Sequence, residues 1–131
     1  MTLRELAESL SKNERWALSA GRGTFTLVIP LSGGRTQKVT LREFAHEDAP
    51  MVRFTSSVGS SKSLDGERCR TALELNGRFP TGCLAIDEEA LIMTDTRPLK
   101  TTTPESSARA VRFIAGQADT YERHIYGTDT H

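Results

Sequence analysis

The stretch Gly59–Ser63 contains one glycine, three serines and Lys62, and it lies between a predicted strand and a predicted helix. Backbone N–H groups and a lysine at such a junction can bind phosphate. A P-loop needs a glycine immediately before the lysine and a second one five residues earlier, but Ser61 and Ser56 occupy those positions. The spacing therefore favours a simple strand-to-helix connection.

His46, Glu47 and Asp48 carry imidazole and carboxylate groups that could bind a metal ion. Adjacent residues seldom converge on one ion, and the other histidines, His124 and His131, lie near the opposite terminus. We therefore interpret this stretch as a solvated turn. The sequence predicts no metal site.

The neighbouring carboxylates of Asp87, Glu88 and Glu89 could raise one another's pKa, as a general acid or base requires. They fall between two predicted strands, so a hydrated hairpin tip is the simpler interpretation. No serine lies in a G-x-S-x-G setting. We therefore expect a protein that is not an enzyme and that uses no cofactor.

The composition describes an ordinary single domain of 131 residues, with 37% hydrophobic residues and 17 basic against 17 acidic side chains. This balance predicts no binding to nucleic acid or to a membrane surface. The first residues lack a secretory signal pattern, and no segment has the ~20 apolar residues that span a bilayer, so we expect a cytoplasmic protein. Cys69 and Cys83 lack metal or disulfide spacing, and we expect reduced thiols.

The first half of the chain predicts a helix followed by three strands. Thr2 and Glu5 have capping-box spacing before a short amphipathic helix. Trp16–Leu18 could extend that helix or lead into the sheet. Gly33 and Gly34 predict a two-residue turn between two alternating strands, and a third strand follows, so that the three form an antiparallel meander. The apolar residues of these strands are Phe25, Leu27, Ile29, Val39, Leu41, Val52, Phe54 and Val58.

The second half predicts a helix, a hairpin and a long helix. The first of these helices ends at Asn76–Gly77, where both residue types tolerate a left-handed backbone. The strands cover about Gly82–Asp87 and Ala90–Asp95, and the last helix begins at Thr103 and ends near Gly127, before a tail, 128–131, that we expect to be disordered. The following apolar residues are interpreted as packing: Leu73, Ala85, Ile86, Leu91 and Met93.

The predicted fold is therefore α+β, an antiparallel sheet with flanking helices in the order α-β-β-β-α-β-β-α. The motif made of Ala72–Asn76, the small-residue strand Gly82–Asp87, then Leu91–Thr94 and Pro98–Leu99 before a long helix resembles the YbjN-like and type III secretion chaperone-like families. The resemblance covers roughly residues 50 to 126. The first fifty residues agree only in element order.

The resemblance implies a homodimer that holds another polypeptide or makes a regulatory contact, without catalysis. Secretion chaperones of this kind tend to be acidic, so the neutral charge favours a stand-alone YbjN-like protein. A polypeptide client could add to an open sheet edge while its side chains enter apolar grooves.

The resemblance also places the dimer contact near the second helix, at Arg68, Leu75 and Phe79. Phe113 is a further candidate for this interface, because it lies about 130° around the last helix from its apolar stripe.

Two other classes of function remain open from the residues alone. A protein that binds or converts a small molecule would use a pocket between sheet and helix, with convergent polar groups or a strongly shifted carboxylate. A structural subunit would occur in a fixed complex. An apolar groove beside an open sheet edge would instead favour the protein-binding module.

Overall fold

The structure is a computed structural model that describes residues 1–126. The tail at 128–131, for which the sequence predicts disorder, lies outside the described residues. The first helix and four strands are α1 (Leu3–Glu14), β1 (Ala17–Ala20), β2 (Thr24–Pro30), β3 (Thr36–His46) and β4 (Ala49–Ser60). The remaining elements are α2 (Gly66–Asn76), β5 (Cys83–Asp87), β6 (Ala90–Pro98) and α3 (Pro104–Tyr121), followed by a π-helical turn, Glu122–Tyr126.

The six strands form one antiparallel sheet in the order β1-β2-β3-β4-β6-β5. This confirms the α+β class and the predicted order of elements, to which the structure adds the short strand β1. Both ends of the sheet are edges, β1 on one side and β5 on the other.

Trp16–Leu18 leads into the sheet, which decides between the two alternatives for this segment. The capping box of Thr2 and Glu5 starts α1 as predicted. The helix ends at Arg15, whose left-handed backbone (φ 61°) turns the chain. Trp16 is then buried, and β1 pairs with β2.

The turn between β2 and β3 is longer than predicted. Gly33 and Gly34 have the expected positive φ angles, 78° and 75°. However, the Leu31 N–H donates to the Arg35 carbonyl at 2.8 Å, so three residues, Ser32–Gly34, close the hairpin in a short 3₁₀ turn. The prediction of a two-residue turn was wrong, because the last hydrogen-bonded pair of the hairpin is Leu31 and Arg35, which leaves three residues between them.

The core lies on one face of the sheet, under α1 and α3. α3 begins at the Thr103 cap with Pro104 in its first position, as predicted. The buried polar residues are Gln37 and Ser56 in the sheet and Ser107 and Asp119 on α3, and the Gln37 Nε2 donates to the Ser56 Oγ at 2.9 Å. The largest fully buried hydrophobic side chains are Phe54, Leu6, Leu10, Leu27, Leu41, Leu91, Met93, Ile114, Val39, Val52 and Val111.

α2 differs from the other helices because none of its residues is fully buried. Its predicted left-handed end is also wrong, since Gly77 has a right-handed backbone (φ −70°). The Arg78 N–H donates to the Leu75 carbonyl at 2.9 Å, so the chain continues in a right-handed turn. No helix among the described residues is long and apolar enough to cross a lipid bilayer.

Candidate functional site

An apolar groove of about 240 Å³ lies between α2 and the edge strand β5. α2 contributes one wall, and the β5–β6 hairpin contributes the other. The polar side chains in the lining are Asn76 and Cys69. The lining residues are Leu64, Cys69, Ala72, Leu73, Asn76, Leu84, Ala85, Ile86 and Leu91.

Leu73 and Ile86 are the exposed members of this lining, at 73% and 55% of their full accessible surface. The interpretation of these two residues as packing was wrong, whereas Leu91 and Met93 are buried as expected. Leu73 is about 100° around α2 from Ala72, which puts it at the margin of the half-buried stripe. Ile86 is exposed because β5 is the last strand of the sheet.

The open edge of β5 lies directly beside this groove. The Asn76 side chain meets the Leu84 backbone on this edge: its Oδ1 accepts from the Leu84 N–H at 2.7 Å, and its Nδ2 donates to the Leu84 carbonyl at 3.0 Å. Outward-facing and inward-facing residues alternate along an antiparallel ladder. Ile86, two residues on, therefore also directs its N–H and C=O outward, toward an edge that no strand of the described chain covers.

The structure brings together two of the four residues predicted for an interface. The rings of Phe79 and Phe113 meet edge to face with centroids 5.5 Å apart, and Tyr121 lies 6.1 Å from Phe79. Phe113 is thus half-buried within its own chain. Its unusual position on α3 is explained by this aromatic cluster of Phe79, Phe113 and Tyr121.

Arg68 and Leu75 lie on the side of α2 away from Leu73. The Arg68 Nη1 donates to the Ser63 carbonyl at 2.8 Å. Leu75 is half-buried against the main core. The assignment of these residues to a dimer interface stays a prediction.

The connection from β4 to α2 is shorter than the predicted Gly59–Ser63, because Gly59 and Ser60 still belong to β4 and pair with β6. Ser61–Ser63 form a 3₁₀ turn that contacts the β5–β6 turn. The Ser61 N–H donates to the Glu89 carbonyl at 2.8 Å. The exposed Lys62 ammonium lies 3.6 Å from a Glu89 carboxylate oxygen. This contact holds the connection against the hairpin.

Both titratable stretches, His46–Asp48 and Asp87–Glu89, occupy hairpin tips. Glu47 and Asp48 form the tight turn between β3 and β4 with φ angles of 50° and 65°. Within residues 1–126, no three His, Cys, Asp or Glu side chains are grouped so that they could hold a metal ion.

The pKa of Glu5 and the pKa of Tyr121 are shifted, and both residues lie outside the groove. Hydrogen bonds from the backbone and side chain of Thr2 lower the pKa of Glu5. Burial raises the pKa of Tyr121. The groove is therefore distinguished by its apolar surface and its strand edge.

Sequence reasoning missed this groove because its members are spread over three elements. Leu73 and Ile86 fit the apolar pattern of their own elements, and periodicity cannot show that both lie at the sheet's margin. Asn76 was interpreted as a helix terminator. The signal in the sequence for the Asn76 contact was the position of this residue at the end of a predicted helix, eight residues before Leu84 in a short predicted strand.

Fold and groove together define an α+β protein with a helix-flanked apolar groove at a sheet edge. No protein-family model matches the chain, and comparison with curated proteins finds no relative either.

Proposed function

We propose that this protein is a non-catalytic polypeptide-binding module of the YbjN-like or chaperone-like type. The observation that supports it is the apolar groove between α2 and β5, which lies beside the outward-facing backbone of Ile86. An apolar groove next to an open strand edge suits an extended peptide, because main-chain hydrogen bonds and side-chain pockets act together.

In this proposal, a client segment pairs with β5 at Ile86 and extends the sheet by one strand. Alternate side chains of a strand point to the same face, so every second client residue would meet the groove beside Leu73. A volume of about 240 Å³ is below the ~300–1,000 Å³ of ordinary small-molecule sites. It suits an inserted apolar side chain.

Asn76 would limit where the client binds. Its amide already occupies the hydrogen-bonding groups of Leu84, so the client has the Ile86 end of the strand available. This arrangement would fix the register of the added strand.

We also propose that the protein is a homodimer, with the contact near Arg68, Leu75, Phe79 and Phe113. The support is the aromatic cluster between the end of α2 and α3. Its Phe79 and Phe113 rings are only half-buried by their own chain, and aromatic residues are enriched in the cores of protein interfaces. This contact lies on the side of α2 away from Leu73, so dimer and client would not compete.

The decisive experiment is selection from a random peptide library displayed on phage, followed by hydrogen exchange on the complex. We expect the selected peptides to alternate apolar and polar residues and to protect the Ile86 amide. Leu73→Glu should abolish binding. Thr71→Glu is the matched control, because it adds the same charge to the exposed side of α2 away from the groove.

The rival function is binding of a small apolar molecule in the same groove. Peptides that bind Leu73→Glu as tightly as the wild type would contradict the proposal. A library that yields no peptide, together with an apolar fluorescent dye that binds the wild type and not Leu73→Glu, would favour the rival.

A further inference from the structure

The sheet face opposite α1 and α3 carries side chains arranged in rows across the strands. The register aligns residues of neighbouring strands, and one row contains hydroxyl groups from five strands and ends in a thiol. Its members are Ser19, Thr26, Thr40, Thr55, Thr94 and Cys83. The next row toward the β3–β4 turn is Thr24, Arg42, Arg53 and Thr96.

Arg42 and Arg53 lie directly opposite each other in this second row, and both are exposed. Like charges in opposed positions destabilise a sheet. Among the described residues, neither arginine has a carboxylate partner within ion-pair distance. The two like charges therefore face each other, and no ion pair among the described residues neutralises either of them.

Arg53 is held in position for a ligand. Its Nε donates to the Thr96 Oγ1 at 3.2 Å, and its guanidinium carbon lies 4.3 Å from the centre of the Phe44 ring. These contacts leave its terminal N–H groups for another acceptor, and a guanidinium matches a carboxylate with two parallel hydrogen bonds. A side chain that is already ordered loses less entropy when it binds.

The face contains cations and few acids. Its strand positions include Lys38 as a third cation. Two acids lie near this face. Asp87 is three rows from the arginines on β5, about 20 Å along the strand direction. Glu122, in the turn after α3, lines a pocket with Lys38, Thr40 and Thr55. Glu47 and Asp48 form the β3–β4 turn and make no ion pair with either arginine. Lys38 therefore has an acid nearby, and the excess positive charge of the face lies at Arg42 and Arg53, where it favours an acidic ligand.

We propose that this face binds an acidic segment of a partner polypeptide, with carboxylates pairing to Arg42 and Arg53. The half-exposed apolar side chains of Phe44 and Met51, which lie opposite each other, form the row next to the arginines. A mixture of arginine, aromatic and methionine surface is typical of protein interfaces. Three cations on a chain of zero net charge are a weak footprint for nucleic acid.

The test uses a fluorescently labelled peptide of alternating Glu and Ser, with fluorescence anisotropy at low salt. We expect Arg42→Gln/Arg53→Gln to weaken binding by about tenfold or more, because two charge-assisted contacts are lost. Lys12→Gln/Arg109→Gln removes the same charge from the exposed helix layer and should leave the affinity within about twofold, since it spares the face.

A charge exchange keeps the proposal falsifiable. Arg42→Glu/Arg53→Glu should lose the glutamate peptide and bind the matching lysine peptide. Equal weakening by the control variant would overturn the proposal, because it would show non-specific attraction. Tighter binding of an oligonucleotide of equal charge, lost in Arg42→Gln/Arg53→Gln, would overturn it in favour of nucleic acid.

Discussion

The side chain of Asn76 pairs with the backbone of Leu84 as a neighbouring strand would. Its amide oxygen and nitrogen reach the Leu84 N–H and carbonyl at 2.7 and 3.0 Å. The last residue of α2 thereby closes one position of the β5 edge and ties the helix to the sheet. Since no α2 residue is fully buried, these two hydrogen bonds are important for keeping the helix packed on the sheet.

Asn76→Ala should lower the free energy of unfolding by about 1–3 kcal/mol, because two part-buried hydrogen bonds are lost. Urea denaturation followed by circular dichroism measures the change. Asn13→Ala is the matched control, since Asn13 is exposed on α1 and its side chain makes no hydrogen bond to another described residue. Equal stability of the two variants would show that the Asn76 contact adds nothing.

Hydrogen exchange on the same variant tests the geometry of the edge. The Leu84 N–H donates to the Asn76 Oδ1, and Asn76→Ala removes this acceptor. Hydrogen exchange of the Leu84 amide should therefore become about tenfold faster or more. The Ala85 amide should keep its protection, because the alternation directs it toward β6. An unchanged exchange rate of the Leu84 amide would show that its N–H does not donate to Asn76.

Local sequence signals predicted the elements that are decided locally. The Thr2–Glu5 capping box and the Thr103–Pro104 start of α3 depend on residues within one helical turn. The strand alternation also followed from neighbours, because burial on one face selects every second residue. The Trp16–Leu18 segment stayed open, since its pairing partner in β2 lies about ten residues away.

The candidate site could not be predicted in the same way, because it depends on which strand is the sheet's edge. Leu73 and Ile86 are apolar residues that patterning assigns to a core. Ile86 is exposed because β5 has no further neighbour among the described strands, and Leu73 is exposed because it lies at the margin of the half-buried stripe of α2. The cationic pair of Arg42 and Arg53 likewise requires the β3–β4 register, which the turn at Glu47–Asp48 sets.

The proposed homodimer predicts a solution mass twice that of one chain. Light scattering over a concentration series measures it. Phe113→Ala should raise the dimer dissociation constant by about tenfold or more, since buried aromatic side chains carry much of an interface's energy. Arg22→Ala, in the exposed turn between β1 and β2 at the other side of the sheet, is the control. A monomer in the wild-type protein would contradict the proposal.

Leu75→Glu is unsuitable for the same test. Leu75 packs against the main core of its own chain, so a charge there would destabilise the fold itself. Thermal unfolding of Phe113→Ala should accompany the mass measurement, because Phe113 also contacts Phe79 within the chain. A lower mass without loss of the folded signal isolates the interface.

Arg42→Glu should stabilise the free protein. The substitution replaces two opposed cations on β3 and β4 by a cation facing an anion. The free energy of unfolding should therefore rise by about 0.2–1 kcal/mol. Added salt should reduce this gain, because the pair is exposed. Arg109→Glu on α3 is the control for the charge change. A loss of stability in Arg42→Glu would mean that the two guanidinium groups do not repel each other.

The lowered pKa of Glu5 predicts that the protein loses part of its folding stability at acid pH, through the N-terminal cap of α1. The Thr2 N–H donates to the Glu5 Oε1 at 2.8 Å, and hydrogen bonding by the Thr2 backbone and side chain lowers the pKa of Glu5. A carboxyl whose pKa is lower in the folded state stabilises the fold above its unfolded pKa. That stabilisation is lost as the pH falls through the lowered value.

Glu5→Gln keeps an acceptor in the capping box and removes the titration. The wild type should therefore exceed Glu5→Gln in melting temperature at neutral pH, and the difference should shrink below the ordinary glutamate pKa of about 4.3. Glu8→Gln, on the exposed side of the same helix, should show no such convergence. A difference that stays constant from neutral to acid pH would mean that the charge of Glu5 has no part in the cap, which would then depend on hydrogen bonding alone.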